Sequence, residues 1–199
     1  GAASISTDAA YTVDYSCRFN KLDNSKLTRT PSEAGNRKQM TFSFWVKRGV
    51  LGGSQVTFNA GGSFYFGWYT VPANSFVLFA ESPGKFITNQ LFRDITAWYH
   101  IVLSFDTEAI VATDRFKMYI NGVQVTSWHT NTAIDLDEEL TPTNAEELQW
   151  CRYAAVTTND MDGYLSQVCF IDGLSLEPTS FGEFNNGVWR PIDVSGLTF

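Results

Sequence analysis

The chain has 199 residues and a formal net charge of −7, with 44% hydrophobic, 15% aromatic and 18% charged residues. This hydrophobic and aromatic content excludes a disordered or fibrous chain. The acidic excess argues against a nucleic-acid partner, because a phosphate backbone would be repelled. The length and the many aromatic side chains together favour a single all-β domain.

Strand-like patterns recur along the chain with turn residues between them. Strands are predicted over residues 40–46, 64–69, 76–79, 99–105, 115–120, 123–125 and 164–171. Asn121-Gly122 predicts a tight hairpin turn, because both residues tolerate a positive φ. At least about ten short strands at this length predict an antiparallel two-sheet β-sandwich of the jelly-roll type. We expect one domain over residues 1–199, with a turn-rich C-terminal tail at 177–199 that could serve as a linker.

The cysteines and the termini predict the compartment. Cys17, Cys151 and Cys169 are odd in number and widely spaced, so the sequence predicts neither a disulfide framework nor a zinc site. The longest stretch without charged residues, 49–80, is interrupted by six glycines and Pro72, so no membrane insertion is expected. No signal peptide is recognisable, and we expect free thiols made in a reducing cytoplasm.

Three stretches resemble the concanavalin A-like, laminin-G-like sandwich superfamily. They are the strand at 41–47, the Trp98-x-His100 strand with its hairpin at 115–125, and the Gly-opened strand at 162–173. The resemblance covers residues 15–192. It implies a concanavalin A-like jelly roll, in a superfamily that contains both lectins and glucanases.

A narrower resemblance is to sandwich domains in tail-fibre and other virion proteins of marine tailed bacteriophages. The residues that carry it lie at 17–20, 27–32, 35–38, 92–94, 181–183 and 187–191. The resemblance implies localisation on the virion surface, and a host surface glycan or other virion proteins as partners. A homotrimer is a further expectation for such a module.

Catalysis is not predicted. The two histidines are His100, within a strand pattern, and His129, and no Gly-x-Ser-x-Gly elbow occurs. Asp135, Asp137 and Glu139 alternate superficially like the acids of a glucanase, but the first is one methylene shorter than glutamate and the surrounding sequence is not strand-like. We therefore expect a solvated loop and no enzyme, with a β-glucanase as the third-ranked alternative.

Calcium is the one ion that the resemblance implies, because laminin-G-like domains often hold it at the rim of the sandwich. Oxygen ligands at predicted strand ends could serve. The candidates are Asp94, Asp106, Asp114, Asp160 and Asp162. Their spacing defines no ligand set, and no other cofactor is expected.

Carbohydrate binding suits the composition best, because lectin sites stack sugars on exposed aromatic rings and bond their hydroxyls to amides and carboxylates. Trp68 shares the hydrophobic face of Phe64 and Phe66 and is expected in the core. The candidate binding residues are Tyr69, Trp128, His129, Asn131 and Asp135, with Trp128 in an exposed loop at 126–131. The leading hypothesis is a non-enzymatic adhesion module, and the alternative is a decoration domain whose exposed aromatics pack on other virion proteins or on further copies.

Overall fold

A computed structural model describes residues 11–81, 83–153 and 159–197. The strands of this part of the chain, in order, are β1 (Cys17–Phe19), β2 (Leu27–Arg29), β3 (Gln39–Arg48), β4 (Gln55–Ala60), β5 (Phe64–Thr70), β6 (Ala73–Ala80), β7 (Gly84–Leu91), β8 (Tyr99–Asp106), β9 (Phe116–Ile120), β10 (Val123–Gln124), β11 (Trp128–Thr132), β12 (Leu148–Trp150), β13 (Gly163–Asp172), β14 (Gly182–Asn185) and β15 (Val188–Pro191). Short 3-10 helices span Ala112–Asp114, Thr141–Thr143 and Pro178–Ser180. Of the described helices, none has the length and hydropathy needed to cross a membrane.

The strands form two antiparallel sheets that face each other, with a separate hairpin. The six-stranded sheet has the order β1-β13-β3-β8-β9-β10, and the seven-stranded sheet has the order β11-β7-β6-β5-β4-β12-β2. Strands β14 and β15 pair only with each other. This is the all-β, antiparallel two-sheet sandwich that the sequence predicts.

The core lies between the sheets and follows directly from the alternation of side chains along each strand. On β3, every second residue from Met40 to Val46 is fully buried. These side chains meet the inward residues of the other sheet, and the Phe44 ring stacks on Phe66 with 5.4 Å between centroids. Burying one such phenylalanine stabilises the fold by about 1.5–3 kcal/mol.

The predicted hairpin is confirmed. Asn121 and Gly122 have φ values of 50° and 78° and join β9 to β10. Gly122 is required for a second reason, because a methyl group at this position would collide with the ring of Trp189.

The prediction of an exposed loop at 126–131 is wrong. Residues Trp128–Thr132 form β11, the edge strand of the seven-stranded sheet, paired with β7. The pattern was hidden because a register irregularity between Trp128 and Thr130 breaks the alternation that would mark a strand.

The chain beyond Glu177 packs against the outer face of the six-stranded sheet, so as far as residue 197 it is not a linker. Phe181 is buried there with Val102, Tyr119 and Ile171 in a second hydrophobic cluster. Residues 198 and 199 lie outside the described residues. All three cysteines are free, as expected.

Candidate functional site

The outer face of the seven-stranded sheet carries a cluster of aromatic rings. Because Phe64, Phe66 and Trp68 point into the core, the alternate residues Tyr65 and Tyr69 of β5 point outward. Tyr65 pairs with Phe79 of β6, and their rings stack with 4.6 Å between centroids. The Tyr69 ring stands edge-on to Phe79 at 6.4 Å.

Tyr153, from the segment after β12, completes this group. Its ring centroid lies 5.4 Å from that of Tyr65. We call Tyr65, Tyr69, Phe79 and Tyr153 the outer aromatic cluster; each of the four side chains is half-buried. Burial is the main cause that raises the pKa of Tyr65 to about 12, so its hydroxyl stays protonated at neutral pH.

Tyr153 separates two clefts on this face. The smaller, of about 100 Å³, is lined by Tyr65, Tyr69 and Tyr153 together with polar residues that include Gln55 and Asn159. The larger, of about 450 Å³, is lined by Asn59, Gly61, Gly62, Glu146, Glu147, Gln149 and Tyr153. The turn at 61–62 consists of two glycines, so no side chain projects from it into the larger cleft. Both residues have a positive φ, which favours glycine at these positions.

The larger cleft is acidic and rich in hydrogen-bond acceptors. Its lining includes Glu146 and Glu147 and no basic residue. The Gln149 amide donates to Glu147 Oε2 at 2.8 Å. Asn59 Oδ1 and Gln149 Oε1 are buried and have no hydrogen-bond partner among the described residues. The acceptors open to a ligand are therefore the carboxylates of Glu146 and Glu147, which can accept hydrogen bonds from the hydroxyl groups of a neutral sugar next to an aromatic surface.

Asp160 holds the segment that presents Tyr153. Its Oδ1 accepts a hydrogen bond from the Tyr153 backbone N–H at 3.2 Å. Burial raises the pKa of Asp160, and the residue is only 1% exposed. A carboxyl group that is covered in this way positions the ring of Tyr153 and cannot itself contact a ligand.

The structure separates the residues predicted for binding into three places. Tyr69 belongs to the outer aromatic cluster, whereas Trp128 lies on the other side of the same sheet and packs on Phe86 and Phe116 at 5.7 and 6.1 Å between centroids. Trp128 and Asn131 line one cleft of about 240 Å³ at the edge between the sheets. His129 and Asp135 are exposed and line none of these three clefts.

Tyr65, Phe79 and Tyr153 were not predicted. Tyr65 could have been found, because it alternates with Phe64 and Phe66 just as Tyr69 alternates with Trp68. Phe79 was hidden in a continuous hydrophobic run, which does not show which face each residue occupies. Tyr153 lies far along the chain from β5, so only the tertiary structure brings it to Tyr65.

The acidic segment at 135–139 is a solvated turn, as expected. Asp137 Oδ1 lies 2.9 Å from Lys38 Nζ, and Glu139 Oε2 lies 2.6 Å from an Arg37 guanidinium nitrogen. The hydrogen bond from Lys38 to Asp137, together with the negative charge of that carboxylate, raises the pKa of Lys38. Asp137 and Glu139 are therefore engaged with cationic side chains.

The aspartates considered for calcium have separate roles. Asp94 accepts hydrogen bonds from Thr96, which lower its pKa, and Asp162 pairs with Arg18 at 3.0 Å. In residues 11–81, 83–153 and 159–197, no three His, Cys, Asp or Glu side chains are grouped as metal ligands. A calcium site stays a prediction.

His100 is packed, as expected, with 1% of its surface exposed. The indole N–H of Trp189 donates to His100 Nδ1 at 2.9 Å, which requires an unprotonated Nδ1, and Nε2 lies 2.9 Å from Ser43 Oγ. Burial lowers the pKa of His100 to about 3, so the ring is neutral at pH 7. Both ring nitrogens are engaged, which leaves neither free to act as a base.

Comparison with known proteins agrees with this architecture. A family profile described as "Laminin_G_3: Concanavalin A-like lectin/glucanases superfamily" matches residues 22–174. No curated protein sequence gives a significant match.

Two solved structures illustrate the shared fold. Domain 4 of AbnA, a GH43 extracellular arabinanase from Geobacillus stearothermophilus, in complex with arabinotriose, is 20% identical over 72% of this chain and 65% of that one, with a TM-score of 0.50. The Trypanosoma rangeli sialidase in complex with sialic acid is 10% identical over 72% of this chain and 22% of that one, with a TM-score of 0.51. In each case less than two thirds of the relative is covered. With the family profile matching most of its length, the chain belongs to the concanavalin A-like lectin/glucanases superfamily.

Proposed function

We propose that this chain is a non-enzymatic carbohydrate-binding module whose site is the outer aromatic cluster with the two clefts beside Tyr153. The observation that carries the proposal is the juxtaposition of half-exposed rings with a cleft of amides and carboxylates. A sugar presents an apolar C–H face and a rim of hydroxyls, and the two parts of this site match those two surfaces. Tyr153 lines both clefts and would contact the ligand centrally.

The proposed ligand is a glycan without acidic groups. The larger cleft carries Glu146 and Glu147, and although Lys26 pairs with Glu147 at 3.8 Å, one negative charge remains that disfavours a sialic acid or a sulfated sugar. The two structural relatives were solved with arabinotriose and with sialic acid, which supports a carbohydrate ligand for this fold. The acidic cleft favours a neutral glycan over an acidic one.

The proposed setting is a virion surface, where the module attaches a tailed bacteriophage to a glycan of its host. The support is the resemblance of the chain to phage tail-fibre and virion domains over the segments at 17–20, 27–32, 35–38, 92–94, 181–183 and 187–191. A homotrimer and a calcium ion at the rim belong to this proposal as well.

Glycan-array screening followed by calorimetry with the best ligand tests the binding site. Tyr69→Ala and Tyr153→Ala should weaken binding at least tenfold, because each removes a ring of the proposed sugar platform. Phe184→Ala is the matched control: Phe184 is 55% exposed, lies on the β14–β15 hairpin and should leave affinity unchanged. Unaltered affinity in folded Tyr69→Ala and Tyr153→Ala proteins would refute this site.

A reducing-sugar assay on β-glucans tests the absence of enzymatic activity. We expect no release above buffer, and Glu139→Gln should make no difference because Glu139 pairs with Arg37. Release of sugar that disappears in Glu139→Gln would contradict the proposal and favour a β-glucanase.

A decoration domain is the second candidate, and one surface favours it. Phe184 and Val188, on the hairpin, are 55% and 56% exposed, and Phe184 packs on Trp189 at 4.9 Å between centroids. Two exposed hydrophobic side chains on one hairpin suit a protein–protein contact. Light scattering combined with glycan binding distinguishes the candidates. A trimer that dissociates in Phe184→Ser and binds no glycan would favour decoration, whereas glycan binding that is retained in a dissociated Phe184→Ser protein would exclude it.

A further inference from the structure

The outer face of the six-stranded sheet holds a cleft that the proposed function does not use. It has a volume of about 300 Å³, which is enough for a small ligand. Trp45 and Trp98 line it, together with Tyr15, Asp14, Ser166 and Pro191. We call it the tryptophan cleft. Trp45 lies on the outward side of β3, so this cleft and the outer aromatic cluster are on opposite faces of the sandwich.

The ring of Trp45 is held in place before any ligand arrives. It stacks on His100 with 4.9 Å between centroids and 25° between planes. His100 is in turn bonded to Trp189 and Ser43 through its two ring nitrogens. A ring that is already fixed loses little conformational entropy when it contacts a ligand. This preorganisation favours a ligand-binding role for the cleft.

The remaining groups of the cleft define the chemistry of its ligand. Asp14 is the sole charged side chain in the described lining, and Ser166, in the same lining, donates a hydrogen bond from Oγ to the Tyr15 carbonyl. The indole N–H of Trp45 is buried without a hydrogen-bond partner among the described residues, so the ring of Trp45, and not its N–H, faces the cleft. The cleft therefore offers two flat apolar rings, one carboxylate acceptor and no cation.

We propose that the tryptophan cleft is a second saccharide site, which binds one pyranose ring without an acidic group. The indoles would take the C–H face of the sugar, and Asp14 and Ser166 would bond to its hydroxyls. An acidic sugar would be repelled by Asp14. The inference goes beyond the proposed function, because it makes the module bivalent, with one site on each outer face of the sandwich.

Fluorine NMR of the full chain labelled with fluorotryptophan tests this directly. The chain has six tryptophans, and Trp→Phe variants assign their signals. The probes are the methyl glycosides of glucose, galactose and mannose, with N-acetylneuraminic acid as the acidic comparison. We expect saturable shifts of the Trp45 and Trp98 signals with at least one neutral glycoside, and none with the acidic sugar.

Two variants and one control make the result specific. Trp98→Ala and Asp14→Asn should weaken the response of Trp45 at least tenfold, and both change partly or fully exposed positions that the fold tolerates. Tyr153→Ala, on the opposite face, should leave that response unchanged. The inference would be overturned if the fluorine signals of Trp45 and Trp98 did not shift with any neutral glycoside. It would also be overturned if their response were lost in Tyr153→Ala.

The test also separates this inference from the proposed function. Calorimetry with the glycan-array ligand on the Tyr69→Ala and Tyr153→Ala proteins reports on the outer aromatic cluster, because both residues line the smaller cleft. Loss of that binding in these variants, with silent Trp45 and Trp98, would refute the tryptophan cleft alone. Unchanged binding in both variants, with a response of Trp45 that Trp98→Ala weakens, would refute the proposed function and leave the second site intact.

Discussion

The two outer faces of the sandwich are built from the same alternation but end in different environments. On the seven-stranded sheet, the outward rings of Tyr65, Tyr69 and Phe79 remain half-exposed beside open clefts. On the six-stranded sheet, much of the outward face is covered by the C-terminal segment, which buries Phe181 and Trp189. An outward aromatic residue is therefore buried or left half-exposed according to what covers it.

Removal of the Trp189 side chain, which helps to cover the outer face of the six-stranded sheet, should have the largest effect on stability. Trp189 is 8% exposed, donates to His100 Nδ1 and lies so close to Gly122 and Gly182 that a methyl group on either would collide with it. Trp189→Ala should lower the unfolding free energy by about 3–5 kcal/mol in urea denaturation. Val188→Ala, at an exposed neighbour, should change it little. A loss as small in Trp189→Ala as in Val188→Ala would show that the hairpin does not stabilise the covered face.

Acidification should cause the second-largest loss of stability, through His100 on the covered face of the six-stranded sheet. The pKa of His100 is lowered from 6.5 to about 3 by burial, so below pH 6.5 the unfolded chain binds a proton that the folded chain does not. Stability should therefore fall as pH falls, by about 2–3 kcal/mol between pH 6.5 and about pH 4.5 from this group. His100→Gln, which does not titrate, should flatten that part of the stability curve. Parallel curves for the two proteins would contradict the assignment.

Trp128→Ala tests the side chain that the sequence placed in a binding loop. The indole packs on Phe86 and Phe116, so we expect a loss of about 2 kcal/mol in unfolding free energy with glycan affinity unchanged. Tyr69→Ala should show the opposite profile, with small destabilisation and lost affinity. Equal effects of the two variants on affinity would mean that the edge cleft also contacts the ligand.

The smallest effect is expected at the acidic turn. Glu139→Gln breaks an ion pair with Arg37 whose carboxylate is 61% exposed. Such pairs contribute less than about 1 kcal/mol, and salt screens them. Thermal denaturation at low and high salt should show a slight difference between the two proteins that disappears at high salt.

Several parts of the fold could be predicted because they depend on local order along the chain. The alternation of Met40, Phe42, Phe44 and Val46 predicts β3 and its buried face, since successive side chains of a strand point to opposite sides. Asn121-Gly122 predicts the hairpin because the turn needs positive φ at both positions. Tyr69 was placed on the outward face by the same alternation.

Other features of the strands could not be predicted from local patterns. In β4, polar and apolar residues alternate from Gln55 to Ala60, but that pattern does not show that Gln55, Thr57 and Asn59 are buried as well. In β11, a register irregularity hides the pattern, and Trp128 was therefore interpreted as exposed. The turn-rich composition after Glu177 indicates short elements but does not show that they return to cover a sheet.

The amino-acid order by itself thus determined the all-β class and the inward face of the strands whose residues alternate clearly. The tertiary structure alone decided which outward residues meet. Tyr153 reaches Tyr65 and Trp189 reaches His100 across 88 and 89 positions of the chain, respectively, and each pair lies in contact. Local periodicity carries no information about contacts at such separations, because they depend on how the two sheets and their covering segments pack.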